Sequence, residues 1–175
     1  MSEELGIEND AGEAFGTGTH DTTSMCICEL LALVEPGMKV FDIGTGSGIL
    51  SLAAAKFGAG DITAVDYDNV AVRVASENIQ ANGYNDLIHI RQSDLFSTIT
   101  GRADLIIANI IADLVIALFE ELPKHLNPGG VFLASGIISD RIADVEKAAQ
   151  EHGFKVIKLI QQGGWAAMRI AYNPS

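Results

Sequence analysis

Three glycines at alternate positions, Gly44, Gly46 and Gly48, follow an apolar run that contains Asp42. Glycine has no Cβ, so the backbone N–H groups of such a loop can approach a ligand closely. The spacing is G-x-G-x-G, and Ile49 stands where the dinucleotide fingerprint G-x-G-x-x-G has its third glycine. The loop therefore fits a pyrophosphate poorly. It indicates a nucleoside cofactor without phosphate, for which S-adenosylmethionine (SAM) is the candidate.

A carboxylate stands at the distance from this loop at which a ribose would lie. Asp66 follows Gly44 by 22 residues, at the end of a second apolar run. Its side chain could accept hydrogen bonds from both hydroxyls of a ribose. The alternative is that it caps the next helix, but Asp68 can serve as that cap. We therefore predict that Asp66 binds the ribose.

Two further acids have roles that the sequence leaves open. Asp94 follows the third predicted strand and could accept a hydrogen bond from the adenine amine, or could be an ordinary turn residue. Asp42 could hold the amino group of the cofactor, or could brace the N–H groups of the glycine loop. We include Asp94, but not Asp42, among the predicted cofactor-binding residues.

An alternation of strands and helices must position these residues. We predict strands at 39–43, 61–65, 87–91, 104–108 and 131–135, and helices at 22–34, 48–57, 69–81, 112–122 and 139–151. Two last strands, 154–161 and 165–171, read as an antiparallel hairpin. The alternation predicts an α/β fold with a seven-stranded, mostly parallel sheet and helices on both faces. In such sheets the ligand lies beyond the carboxyl ends of the strands.

The composition narrows the class of protein. The chain has 175 residues, 48% of them apolar, which suits one domain with a buried sheet. We predict a flexible lead-in at 1–13 and a single domain at 14–175. A net charge of −12 argues against a nucleic-acid-binding surface and permits attraction to a basic partner.

The chain shows no signal peptide and no apolar run of membrane-spanning length, so we expect a cytoplasmic protein. Cys26 and Cys28 lie two residues apart on a predicted helix, which places them on different faces. We expect both to be buried free thiols, and neither a disulfide nor a metal pair. The four histidines share no metal-ligand spacing, and no metal site is expected.

Three segments carry a resemblance to a known family. They are Ala-Phe-Gly-Thr-Gly-Thr-His-Asp-Thr-Thr at 14–23, Asp-Ile-Gly-Thr-Gly-Ser-Gly-Ile-Leu at 42–50, and Asn-Ile-Ile-Ala-Asp-Leu at 109–114. Together with Ser-Gly-Ile at 135–137 and Trp165, they resemble the PrmA family, methyltransferases of large-subunit ribosomal protein eleven. The likeness covers about 14–173. It implies the Rossmann-like fold of SAM-dependent methyltransferases.

The resemblance also implies particular site residues. In that family the cofactor site takes in the positions that match Thr23, Gly44, Asp66 and Asn109. No proline follows Asn109, which separates the segment from the Asn-Pro-Pro-Tyr signature of other amino-group methyltransferases. Family members also carry an N-terminal substrate-recognition domain. That domain lies outside the likeness at 14–173, so the resemblance implies the cofactor and the reaction more directly than the target protein.

We expect methyl transfer from SAM to a protein amine, either a lysine side chain or an α-amine, of a basic and ribosomal protein. Two residues are candidates for catalysis. The side-chain oxygen of Asn109 could accept a hydrogen bond from the amine and orient its lone pair, or Asn109 could cap the helix that starts near Ala112. Phe15 could wall the methyl-transfer pocket, or could anchor its loop by packing.

Other functions remain open at this point. One is methylation of a small molecule or of a different protein. Another is a SAM-binding module without catalysis, which the intact glycine loop and Asn109 disfavour. A nicotinamide-dependent oxidoreductase fits least, because Ile49 replaces a fingerprint glycine.

Overall fold

Strands and helices alternate along the chain in the computed structural model, which describes residues 4–10 and 20–172. The strands are β1 (Lys39–Ile43), β2 (Asp61–Asp66), β3 (Ile88–Gln92), β4 (Ala103–Asn109), β5 (Leu126–Ile138), β6 (Phe154–Gln162) and β7 (Trp165–Tyr172). The helices are α1 (Asp21–Leu33), α2 (Ile49–Lys56), α3 (Asn69–Ala81), α4 (Ala112–Leu118), α5 (Leu122–His125) and α6 (Ile142–Glu151), with a 3-10 turn at Ser139–Arg141.

Within the described residues, seven strands form one sheet in the order β3-β2-β1-β4-β5-β7-β6. The first five strands of this order run parallel, and β7 is antiparallel to both β5 and β6. The order reverses between β1 and β4, so the connections leave a crevice at the carboxyl ends of these two strands. The predicted fold class and terminal antiparallel hairpin are confirmed.

The sheet separates two apolar clusters. Along β4, Leu105 and Ile107 belong to the cluster that includes α1, α2 and α3, whereas Ile106 and Ala108 belong to the cluster that includes α4, α5 and α6. Such alternation buries both faces of a strand. In the part of the chain that the structure describes, no helix is long and apolar enough to cross a membrane.

Three predicted elements have bounds that differ from the observed ones by more than one residue, for identifiable reasons. Helix α4 ends at Leu118 rather than 122, because Pro123 cannot donate a backbone N–H and its ring clashes with the preceding turn. Strand β5 is longer than the predicted 131–135 at both ends, because Leu126 pairs with Ala103 of β4 and the pairing with β7 continues to Ile138 opposite Trp165. The predicted helix at 139–151 begins with the 3-10 turn instead.

Helix α1 begins differently from the prediction. The N-cap is His20, whose Nδ1 accepts a hydrogen bond from the backbone N–H of Thr22 at 3.3 Å. Asp21, the first residue of the helix, does not cap it and instead accepts a hydrogen bond from Gln162 Nε2 at 2.8 Å. That contact ties the first turn of α1 to the β6–β7 turn, as does the edge-on packing of His20 against Trp165.

A buried carboxylate holds α1 to the terminal hairpin. Glu29 of α1 is 6% exposed and forms ion pairs with Lys158 of β6 and Arg169 of β7. Its Oε1 lies 2.9 Å from Lys158 Nζ. Since α1 also carries Thr23, these pairs fix one wall of the site described below.

We expect Glu29→Ala to lower the free energy of unfolding by about 2 kcal/mol, because it leaves two cations without their carboxylate partner. The loss is smaller than for fully buried pairs, since Lys158 and Arg169 are partly exposed. Urea denaturation measures it. Glu121→Ala, which breaks an exposed pair with Lys124, is the control and should change stability by less than about 0.5 kcal/mol. Equal effects of the two substitutions would contradict the anchoring role.

Residues 4–10 lie against α3. Ile7 is buried in the apolar cluster of that face. Asn82 bonds both the N–H and the carbonyl of Glu8, and Asn78 does the same for Asp10. The described part of the predicted lead-in, residues 4–10, is therefore hydrogen-bonded to α3 and its C-cap residue. The predicted boundary between 13 and 14 lies outside the described residues.

Candidate functional site

A cavity of about 420 Å³ opens at the carboxyl ends of β1, β2 and β4. Its polar lining comes from α1 and from the carboxyl ends of these three strands and of β3, and consists of Thr23, Thr45, Asp66, Asp68, Ser93 and Asn109. Its apolar wall consists of Ile49, Leu50, Ala71, Leu95, Ile110 and Leu114. Gly44, Gly46 and Tyr67 complete it. The site therefore lies where the strand order predicts a ligand.

The glycine loop leaves no room for a side chain at its first position. Gly44 has φ +77°, and a Cβ there would lie 2.6 Å from Ile110 Cγ2. Its N–H and that of Thr45 both donate to the carbonyl of Val65, at 2.9 Å each. These bonds fix the loop from β1 to the end of β2. The loop backbone thereby forms part of the cavity wall.

Asp66 links the glycine loop to the next helix. Its Oδ2 accepts a hydrogen bond from Gly46 N–H at 2.9 Å, and its Oδ1 accepts one from Asp68 N–H at 2.9 Å. Each carboxylate oxygen can accept more than one hydrogen bond, so acceptor capacity remains toward the cavity. Asp68 caps α3 by accepting from Val70 N–H, as predicted, so Asp66 is not the helix cap.

Asp42 lies beneath the loop and does not line the cavity. It is 1% exposed, and its Oδ2 accepts hydrogen bonds from Thr45 Oγ1 and Ser51 Oγ, each at 2.7 Å. Burial raises the pKa of Asp42 to about 6, although those hydroxyl donors oppose the shift. Asp42 therefore braces the loop through hydroxyl groups.

This raised pKa predicts a pH-dependent stability. The folded protein retains a proton on Asp42 that the unfolded chain loses above about pH 4. The contribution of Asp42 to stability therefore falls as pH rises from about 4 through 6, by up to about 3 kcal/mol, and is constant above. We expect Asp42→Asn to lack this fall, so that its stability relative to wild type rises over that window. Urea denaturation between pH 4 and 7 measures it, and parallel stability curves would contradict it.

Asn109 is the last residue of β4, and its side chain contacts α1. Its Nδ2 donates to Thr23 Oγ1 at 3.4 Å. Its Oδ1 is buried and accepts no hydrogen bond from any described residue. The predicted alternative, that Asn109 caps α4, is wrong, because the N-cap is Ile111 and no side chain caps that helix. A buried acceptor without a hydrogen-bond partner lowers the stability of the fold by about 1–3 kcal/mol. Such an atom calls for an explanation, and a hydrogen bond from a bound ligand is one.

The cavity brings together five of the predicted site residues: Thr23, Gly44, Gly46, Asp66 and Asn109. Asp94 is exposed and borders a separate, more open pocket beside Phe96 and His125. Its neighbours Ser93 and Leu95 line the main cavity instead. Leu95 has φ +49°, a conformation uncommon for a residue with a side chain. Phe15 lies outside the described residues, so its place in the site stays a prediction.

The sequence reasoning missed several lining residues. Tyr67 directly follows Asp66, and Ser93 directly follows β3, so the strand-end rule that selected Asp66 could have found both. Ile110 and Leu114 lie within the motif at 109–114, which resemblance had already singled out. No local signal shows that Ile110 reaches across to Gly44.

The histidines and cysteines lie elsewhere. His125 stacks on Phe96, His152 stacks on Phe119, and His89 pairs with Asp61. Residues 4–10 and 20–172 contain no cluster of three or more His, Cys, Asp or Glu side chains that could hold a metal ion. Cys26 is buried, and burial raises its pKa to about 12.

The prediction for Cys28 was wrong: this thiol is exposed. Positions two apart on a helix differ by about 200° in direction, so burial of Cys26 turns its neighbour outward.

Comparisons with known proteins identify the family. Residues 1–172 match the profile of the ribosomal protein L11 methyltransferase (PrmA) family. The ribosomal protein L11 methyltransferase of Desulfitobacterium hafniense is 48% identical over 173 residues, which cover 99% of this chain and 55% of that protein. The one from Alkaliphilus oremlandii is 45% identical over 93% of this chain and 52% of its own length. The chain thus spans about half the length of these curated relatives.

Solved structures agree with the sequence comparison. The crystal structure of the ribosomal protein L11 methylase from Lactobacillus delbrueckii superposes with a TM-score of 0.89 and 35% identity, covering 96% of this chain and 86% of that one. A methyltransferase from Pyrococcus furiosus, with a TM-score of 0.80 and 21% identity, shares the fold. From its sequence and its structure alike, this chain belongs to the ribosomal protein L11 methyltransferase family.

Proposed function

We propose that this protein is a SAM-dependent methyltransferase that transfers methyl groups to amines of a ribosomal protein. One observation carries the proposal. A single cavity joins a glycine loop, a carboxylate with spare acceptor capacity, and the buried, unpartnered oxygen of Asn109. The first two suit a nucleoside and the third suits a hydrogen-bond donor such as an amine. The named activity of the relatives supports the same reading.

The residues present fit SAM. Gly44 and Gly46 line the cavity with backbone atoms, because they carry no side chain. Asp66 lies beside them, where it could accept hydrogen bonds from the ribose hydroxyls. Thr23 borders the same space from α1. Asp94 remains our proposed partner of the adenine amine, with Ser93 and Leu95 as the wall. When bound, SAM supplies a methyl group on a positively charged sulfur.

Asn109 is our proposed orienting residue. Its Nδ2 faces Thr23 Oγ1, which leaves Oδ1 as an acceptor for an amine N–H. An amine held this way directs its lone pair away from the asparagine. The reaction needs that lone pair in line with the methyl carbon at roughly 3–3.5 Å. Phe15 is proposed to wall this pocket.

None of the described residues that line the cavity is a histidine. Among the described residues that line it, the titratable side chains are Asp66, Tyr67 and Asp68. In our proposal the acceptor amine arrives neutral or loses its proton to solvent. At pH 7 this costs about 4.6 kcal/mol for a lysine but only about 1–1.4 kcal/mol for an α-amine, before desolvation in the pocket narrows the gap.

The acceptor protein is proposed to be basic and ribosomal. The net charge of −12 favours encounter with a basic protein, and the relatives are named for ribosomal protein L11. A ribosomal substrate would place the enzyme in the cytoplasm. We take residues 14–175 as the methyltransferase domain.

Incubation of the full chain with methyl-labelled SAM tests the proposal. One reaction contains ribosomal proteins, including purified L11, and a parallel reaction contains a metabolite mixture. Label in one ribosomal protein is the expected result. Label confined to small molecules would replace the proposal with a small-molecule methyltransferase, and bound SAM without transfer would replace it with a binding module. A thermal shift with NAD but not with SAM would overturn the cofactor assignment.

A further inference from the structure

Gly136 lies directly beneath the backbone of Ile110. The residue belongs to β5, at the point where the pairing with β7 shifts register between Ala134 and Ile137. Its φ is +79°, and a Cβ there would lie 2.6 Å from the Ile110 carbonyl oxygen and 2.9 Å from its nitrogen. Backbone atoms cannot swing aside as a side-chain end can. Any side chain at 136 would therefore displace the peptide that follows Asn109.

The residue before Gly136 bonds the chain neighbours of the two residues in the Asn109–Thr23 contact. Ser135 is fully buried, and its carbonyl accepts a hydrogen bond from Ile110 N–H at 3.1 Å. Its Oγ donates to the carbonyl of Thr22 at 3.3 Å, next to Thr23. Ser135 also lies opposite Asn109 in the β4–β5 pairing. The pair Ser135-Gly136 thus contacts Thr22 and Ile110, the residues next to Thr23 and Asn109.

We infer that Gly136 is a positioning residue for methyl transfer, which sets the placement of Asn109 by allowing close approach of β5 to Ile110. The inference rests on the proposed function, because it assigns Gly136 a part in orienting the acceptor amine. Gly136 itself does not line the cavity. Its effect must therefore act through Asn109 and Ile110.

Displacement of a reacting group by about 1 Å costs about a hundredfold in rate. A Cβ at 136 forces a shift of several tenths of an ångström or more in the Ile110 peptide. We expect Gly136→Ala to lower kcat about ten- to hundredfold. Ile110 also lines the cavity, but Asp66 and Gly46 bond to each other and do not contact Gly136, so the Kd for SAM should change by a smaller factor than kcat.

Gly129→Ala is a matched control. Gly129 lies in the same strand and has the same φ of +79°, but no described atom beyond its chain neighbours comes within 4 Å of a Cβ there. Both variants carry the strain of an alanine at positive φ, and only Gly136→Ala carries the clash. The comparison of their kcat values and melting temperatures separates positioning from general destabilisation.

The experiment measures kcat and KM with L11, SAM affinity by calorimetry, and the Asn109 side-chain amide signals by NMR, identified by their loss in Asn109→Ala. We expect Gly136→Ala to lower kcat and move those signals, and Gly129→Ala to do neither. Equal kcat values and unmoved signals in both variants would overturn the inference. If the wild-type protein methylates no protein, the proposed function fails, and the amide signals still decide whether Gly136 positions Asn109.

Ser135→Ala keeps the test decisive if Gly136→Ala does not fold. It removes the hydroxyl bond to Thr22 without adding an atom. We expect kcat to fall about threefold to tenfold with SAM affinity unchanged, the loss expected for a supporting contact. An unchanged kcat together with unmoved Asn109 signals would overturn the inference.

Discussion

Replacing Asn109 with alanine is expected to lower kcat for protein methylation by about a hundred- to a thousandfold, while the Kd for SAM changes less than about threefold. The side-chain oxygen is the buried acceptor of the cavity that has no partner among the described residues. Without it, the amine rotates and its lone pair leaves the line of attack. Labelled methyl transfer to L11 gives kcat, and calorimetry gives the affinity.

The same substitution should leave the fold intact. An unsatisfied buried acceptor costs about 1–3 kcal/mol, and alanine removes it. Against this stand the lost 3.4 Å bond to Thr23 Oγ1 and a small cavity. We expect a melting temperature within a few degrees of the wild type, about the shift caused by 1 kcal/mol in a chain of this size. A large fall in stability would mark Asn109 as structural.

Asn109→Asp serves as the matched control, since it keeps an oxygen of the same reach. A carboxylate beside the amine stabilises its protonated form and raises the pKa of that amine. Activity should therefore be low near neutral pH and recover as pH rises. Equal losses of turnover and of SAM affinity in both variants would assign Asn109 to holding the cofactor rather than to orienting the acceptor.

The parts of the fold with local signals were predictable from the sequence. Helix α3 was predicted at the observed bounds, because Asp68 caps its start and Gly83, at φ +75°, follows its end. Strand β5 extends well beyond its predicted ends because Leu126 at its start pairs with Ala103 of β4, and Ile138 at its end pairs with Trp165 of β7; both partners lie more than 20 positions away along the chain. Long-range pairing leaves no mark on the local pattern.

The candidate site divides in the same way. Gly44 and Asp66 belong to one strand–helix–strand unit, so their spacing alone predicted that they would meet. Asp94 depends on how the loop after β3 turns, and the left-handed backbone of Leu95 is not a feature that leucine predicts. The approach of Gly136 to Ile110 likewise arises only when β4 and β5 pair. The placement of Asp94 and the approach of Gly136 to Ile110 therefore depend on tertiary structure, which the local sequence does not show.

Asp66→Ala is expected to weaken SAM binding about a hundredfold. A hydrogen bond to a charged group contributes about 1.5–3 kcal/mol, which corresponds to ten- to over a hundredfold in Kd. The upper part of that range applies because Asp66 also accepts from Gly46 and Asp68 N–H groups, so its loss releases the loop that forms the cavity wall. Calorimetric titration with SAM measures the change.

Asp68→Ala is the control for the loss of a negative charge from the cavity lining, as distinct from the loss of a specific contact with the ribose. Asp68 lines the same cavity, but its described hydrogen bond caps α3. Its removal should cost about 1 kcal/mol of stability and change SAM affinity less than about threefold.

At a SAM concentration a hundred times the wild-type Kd, binding stabilises the wild type by about 2.7 kcal/mol, and should stabilise Asp66→Ala by only about 0.4 kcal/mol. Unchanged affinity in Asp66→Ala, or equal losses in both variants, would refute the ribose assignment, because only a specific contact distinguishes two carboxylates so close together.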